Sequence, residues 1–226
     1  MYLPTPFKQD DEDELLRLMQ AYPFATLVTH TQGAGEQGAA SLALEANHLP
    51  LQVKNVDGAL VLQGHIAKAN PLWKHLQEGS PTLVIFHGPD CYISPNYYPS
   101  KKDTGKEVPT WNYAVVHVHG TLHFRQEPEW LLALLDQLST THEASQPEPW
   151  SIHDAPEEYI QAMLKAIVGI EIKVTSLTGK WKLGQNKTEQ NRRGMAEHLA
   201  QSDDAKEREI AAIVNYQLNI RNTENG

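Results

Sequence analysis

Three stretches of the chain gather residue types that can hold an anion or a flat ring. In GHIAKANPLW, residues 64–73, His65 and Lys68 stand three apart and Asn70 precedes Pro71. Asn is a good cap and Pro suits the first helical position, so a short helix is expected to start there. Free backbone N–H groups at a helix start, joined by the Lys68 cation, would cradle a phosphate. The plainer alternative is an ordinary cap beside a surface lysine. In CYISPNYY, residues 91–98, Tyr92, Tyr97 and Tyr98 surround Ser94 and Pro95. Such amphipathic plates either line a planar ligand or pin a loop to the core. In VPTWNY, residues 108–113, Trp111 and Asn112 stand just ahead of an apolar run. The Asn112 amide donates and accepts together, which suits the edge of a flavin or pterin. The alternative makes Trp111 a core anchor and Asn112 a turn residue.

A fourth stretch, GKWKLGQNKTEQNRRG at residues 179–194, is the most basic, with Lys180, Lys182, Lys187, Arg192 and Arg193. It would touch a phosphate, a nucleic acid or an acidic partner, or form a solvated rim. His117, His119 and His123 share one face of a strand, but His123 stands apart and HExxH is missing, so no metal site is expected. GxSxG is absent, and Ser41, Ser94 and Cys91 have no partner that spacing identifies. No catalytic residue can be named.

These groups sit in a chain of 226 residues with 40% apolar and 21% charged residues, enough for one large domain with a sizeable core. Acidic residues exceed basic by 28 − 19 = 9, which opposes non-specific DNA binding. The one cysteine, Cys91, excludes an intramolecular disulfide and fits a reducing compartment. MYLPTPFKQD lacks a basic segment leading into an apolar one, and no apolar run nears 18 residues. A cytoplasmic protein without a membrane partner is expected.

The elements that must position these groups follow from periodicity. A helix is expected over 11–21, with Leu15, Leu18 and Met19 on one stripe. Strands are expected over 24–30 and 39–46, separated by a loop at 31–38. Residues 49–67 read as a hairpin about Asp57-Gly58. A strand over 82–88 leads into a long loop, 88–110, and strand returns over 111–124. Helices follow from Pro128 and over 157–168, the latter with Ile160, Met163, Leu164 and Ile167 inward. A strand begins at Gly169, and two last helices cover 188–200 and 204–218. Rossmann and Walker A patterns are absent, and no βαβ repeat stands out. A mostly β fold is expected, an antiparallel sheet closed as a barrel with helices outside. Residues 1–200 would form the main domain and 201–226 a terminal helix and frayed tail.

MYLPTPF, PFATLVTH, NHLPL, GHIAKANPLWK, VIFHGPDCYISPNYY, VPTWNYAVVHVHG and KLGQNK occur in this order. Together they resemble the PaiB-type proteins, described as FMN-binding negative transcriptional regulators, from Met1 to about Leu199. The resemblance implies an FMN-binding split β-barrel with added C-terminal helices, similar to pyridoxamine-phosphate oxidases and flavin reductases. It implies a homodimer with the flavin at the subunit interface. It places the FMN phosphate at HIAKANP, chiefly on Lys68, with His65 and Asn70 beside it. YISP, with Tyr92 and Ser94, and WNY, with Trp111 and Asn112, would approach ribityl and ring. KLGQNK would reach across the dimer through Lys182, Gln185 and Asn186. Two positions depart from the family pattern: Lys68 stands where many relatives carry Arg, and Gly184 where they often carry Ser. Lysine keeps the charge without the bidentate fork. An alternative function is an FMN-dependent oxidoreductase acting on a small molecule. Direct DNA binding has weak support, since the late helices carry Asp203, Asp204, Glu207 and Glu209.

Overall fold

The computed structural model describes residues 1–34 and 40–224. Helix α1 (Glu12–Ala21) begins where the Asp11 carboxylate accepts the Glu14 N–H at 3.2 Å, and it buries Leu15, Leu18 and Met19 as the periodicity requires. Eight strands form one antiparallel-paired sheet: β1 (Lys8–Gln9), β2 (Phe24–Ala34), β3 (Ala40–Pro50), β4 (Gln52–Val56), β5 (Ala59–Ala67), β6 (Ser80–Ile93), β7 (Thr110–Arg125) and β8 (Ile167–Lys182). Their order is β3-β2-β6-β7-β8-β5-β4, with β1 added on β8.

Among the described residues this path is open between β3 and β4, where the sequence suggested closure. The reason lies at one corner. Pro50 has no N–H to donate and ends β3, the Leu51 N–H goes to the Pro23 carbonyl at 2.9 Å, and β4 starts at once against β5. The β4–β5 hairpin turns at Asp57 and Gly58, with φ of 52° and 84°. Both angles are positive, as a two-residue hairpin of this hand demands.

Three expected boundaries move. Residues 89–93 continue β6 instead of opening a loop: Cys91 and Ile93 are buried and Tyr92 is exposed, a clean alternation. The helix expected over 157–168 stops early as α5 (Glu157–Leu164), and Ile167 opens β8. The β-branched run after it pairs with β5, from Ala67↔Ile167 to Val61↔Lys173. Of the four residues expected inward, Leu164 is buried and Met163 is exposed. The loop expected at 31–38 is strand as far as Ala34; residues 35–39 lie outside the described ones.

The chain divides into two compact units, and β6, β7 and β8 contribute residues to both. One unit comprises Tyr22–Phe86 and His117–Leu177. Leu27, Leu62, Val84, Phe86, Val118, Leu122, Ile170 and Ile172 fill its core, with Leu131 and Leu134 of α4 (Pro128–Glu143). Gly169 lets α4 pack this closely, because a Cβ at that position would lie 2.3 Å from the Trp130 ring. The other unit comprises Met1–Ala21, His87–Val116 and Thr178–Gly226. Its core joins Met19, Ile93, Leu183 and Met195 with α6 (Glu189–Ala200) and α7 (Ala205–Glu224).

Candidate functional site

The HIAKANP segment belongs to the first unit. His65 lies on β5 and is largely buried, yet its Nδ1 has no hydrogen-bond partner among the described residues. Burial pulls its pKa down and favours the neutral ring. Lys68 follows the strand in a turn held on both sides. Its N–H donates to the Ala166 carbonyl at 2.8 Å, and its carbonyl accepts the Trp73 indole N–H at 2.9 Å. The Lys68 side chain is exposed, and among the described residues its ammonium has no ion-pair or hydrogen-bond partner. A rigid backbone thus presents an uncommitted cation.

Asn70 does the work of a cap. Its Oδ1 accepts the Leu72 N–H at 2.9 Å, and its Nδ2 donates to Asn47 Oδ1 at 2.8 Å. The helix it starts, α2 (Leu72–His75), is a single turn. One N–H at this helix start, that of Leu72, is thus already taken by Asn70. The anion-seeking groups that remain are Lys68 and the orphaned His65 nitrogen, with Asn70 holding the turn that carries them.

The other candidates belong to the second unit. Tyr92 on β6 and Trp111 on β7 form an edge-to-face pair, with ring centres 6.1 Å apart and an interplanar angle of 74°. They are 46% and 54% exposed, which removes the core-anchor alternative for Trp111. Tyr97 and Tyr98 answer the other way. Tyr97 stacks on His198 with ring centres at 3.9 Å, and Tyr98 is buried, its hydroxyl pushed up to about 12 chiefly by burial. Ser94 accepts the Asn96 N–H at 3.2 Å and caps a short turn. Asn112 points to the interior, where its Nδ2 meets Met195 Sδ at 3.3 Å.

The KLGQNK segment ends β8. Lys182 Nζ donates to Thr110 Oγ1 and to the Trp111 carbonyl, the latter at 2.8 Å. Desolvation lowers its pKa. Gln185 is spent on the turn: its Oε1 accepts the Leu183 N–H at 2.7 Å and its Nε2 donates to the Trp181 carbonyl at 2.6 Å. Gly184 turns the chain with φ of 76°, a left-handed angle that explains glycine over serine here. Asn186 is exposed.

The basic stretch is not a continuous charged surface. Lys180 and Arg192 are buried, Lys187 pairs with Glu107, and Arg193 pairs with Glu189 at 2.6 Å. Glu107 also accepts hydrogen bonds from Ser100 Oγ at 3.1 Å and Asn191 Nδ2 at 3.0 Å. Sequence reasoning missed this network, because its members are separated by up to 91 residues and follow no motif. His123 is held by Glu78 at 2.7 Å and by Thr121, and no metal-holding group of three was found among the described residues.

The mostly antiparallel sheet, open at one edge, has the split-barrel fold. At 15% identity and a TM-score of 0.51, the chain is similar to the FAD and heme binding protein from Mycobacterium smegmatis, over 77% of this chain and 73% of that one. At 12% identity and a TM-score of 0.50, it is similar to the flavocytochrome Anf3 from Azotobacter vinelandii, over 77% and 69%. Residues 1–176 match the family model described as "Putative FMN-binding domain", and the chain belongs to that family. It is also 30% identical to the Bacillus subtilis (strain 168) "Protease synthase and sporulation protein PAI 2", over 96% of this chain and 98% of that protein. A relative from Saccharomyces cerevisiae, "Uncharacterized protein YKL070W", is 36% identical over half of this chain and 69% of its own length.

Proposed function

We propose that the protein binds FMN as a split-barrel homodimer and serves as a negative regulator of the PaiB type in the cytoplasm. Two observations support the flavin assignment: Lys68 is exposed with no partner among the described residues, and the buried Nδ1 of His65, three residues before it in the chain, has none either. A phosphate monoester supplies charge for the first and a hydrogen-bond partner for the second. Within the second unit, Tyr92 and Trp111 are exposed rings, while Ser94, Asn112, Lys182, Gln185 and Asn186 hold or border the turns and strand ends beside them. When bound, FMN supplies a redox centre.

The regulatory half rests on similarity along nearly the whole chain to the PAI 2 protein. The route we favour is indirect. A chain of net charge −9 whose most basic stretch is paired or buried has little to offer a phosphate backbone, so regulation would run through a bound small molecule or a protein partner.

Equilibrium titrations with FMN and riboflavin test the assignment on wild type and Lys68→Ala. One lost charge-assisted contact is worth about 1.5–3 kcal/mol, so FMN affinity should fall roughly ten- to a hundred-fold while riboflavin affinity holds. Equal losses for both ligands, or no flavin binding by the wild type, would overturn it.

A further inference from the structure

Tyr92, Trp111, Tyr113, Lys180 and Lys182 share one face of β6, β7 and β8 in the second unit. Their contacts place them so: Tyr92 meets Trp111, Lys182 Nζ meets the Trp111 carbonyl, and Lys180 Nζ lies 5.5 Å from the Tyr113 ring centre. The alternate residues Cys91, Ile93, Asn112, Ala114, Trp181 and Leu183 are buried on the opposite side. That face is thus built of aromatic rings, the half-buried Lys182 and, beneath Tyr2, the buried Lys180, two residues apart on one strand.

Lys180 is 8% exposed, and its neighbours are the Tyr2 carbonyl, accepting at 3.0 Å, and the rings of Tyr2 and Tyr113. Lys182 is held by a hydroxyl and a carbonyl. Neither lysine forms an ion pair with a carboxylate among the described residues, although the chain carries 28 acidic residues. Five other cations of this unit do have such partners: Lys8 with Asp10, Arg17 with Glu14, Lys187 with Glu107, Arg193 with Glu189 and Lys206 with Asp90. Two like charges held close in a partly desolvated place repel each other, and an anion would relieve both. The flanking rings favour a flat partner, and the 83%-exposed Tyr2 leaves room beside one of them.

We infer that Lys180 and Lys182, with Tyr113 and Tyr2, form a binding site for a small planar aromatic anion, one carrying a carboxylate or phosphate on its ring. The site is separate from the Lys68 segment. None of its residues is one that the flavin assignment rests on, so the ligand would bind with FMN and not against it.

Nicotinate and nicotinamide are isosteric and differ in charge, so calorimetric titration of both, with and without saturating FMN, is the test. Phenyl phosphate identifies the preferred anion, and inorganic phosphate controls for the ring. Nicotinate or phenyl phosphate should bind at least tenfold tighter than nicotinamide. Lys180→Met should erase that preference while leaving FMN affinity within twofold, and Lys182→Met should erase it too. Thermal unfolding checks that each variant is folded, and Lys182→Met carries the test if the buried Lys180 does not tolerate replacement. Equal binding of charged and neutral ring compounds would overturn the site. So would inorganic phosphate displacing nicotinate as well as phenyl phosphate does, or FMN competing with nicotinate. An anion preference that persists in a protein unable to bind FMN would leave this site standing and remove the flavin assignment instead.

Discussion

Lys187 reaches back 80 residues along the chain to form an ion pair with Glu107, and its ammonium also lies 5.1 Å from the Tyr98 ring centre. The same carboxylate takes hydrogen bonds from Ser100 and Asn191. One acid thus ties the segment after β6 to the start of α6, and it holds in place the short turn that begins at Ser94 and leads to the buried Tyr98. A charge that looked free in the sequence is a structural bolt.

Glu107→Gln should therefore destabilise the protein by about 1.5–3 kcal/mol at neutral pH, the usual range for hydrogen bonds to a charged group. The hydrogen bond from Lys187 is the main cause that holds the Glu107 carboxyl below its ordinary range; Ser100 and Asn191 add to it, and burial opposes. A depressed carboxylate stabilises the fold above the unfolded-state value, near 4.3, and that stability is lost as pH falls through the folded value. Urea unfolding of wild type and variant should show a gap at pH 7 that narrows steadily below about pH 4. A constant gap would mean that shape, not charge, is what Glu107 contributes.

Gly169→Ala tests the packing of the first unit. The added methyl would lie 2.3 Å from Trp130 and 3.0 Å from Leu131, both on α4. Overpacking of this kind costs about 1–3 kcal/mol, and the thermal midpoint should fall accordingly. Pairing the change with Trp130→Leu should recover part of the loss, since the clash is with the indole. No recovery would place the strain in the β8 backbone.

The fold was legible wherever one period ruled a segment. The Leu15, Leu18 and Met19 stripe, the Asp57-Gly58 hairpin and the helix opened by Pro128 all stand where their patterns put them. It was illegible where punctuation misled. Gly88 and Pro89 read as a break, yet β6 runs through both; what changes there is the phase, with Thr82, Val84 and Phe86 buried before them and Cys91 and Ile93 after. At the site, residue type alone could not say which tyrosine faces outward. Tyr92, Tyr97 and Tyr98 lie within seven residues, and their fates diverge only because His198 stacks on one and the core takes another. Glu107 had no spacing signal at all.

His65 offers a test in which protonation itself reports the ligand. Burial lowers its pKa, so the folded state resists a proton that the unfolded state accepts near pH 6.5. Stability of the flavin-free protein should decline as pH drops from 7 through 6.5, and level off only below the folded value. His65→Gln should flatten that decline. A phosphate dianion beside the ring reverses the balance, because it favours the imidazolium that burial opposes. FMN should therefore raise the His65 pKa in histidine NMR titrations, whereas riboflavin, which brings the same ring system and no phosphate, should leave it where burial sets it. If the two ligands move it equally, the phosphate is not beside His65, and the Lys68 segment would have to be serving some purpose other than cofactor anchorage.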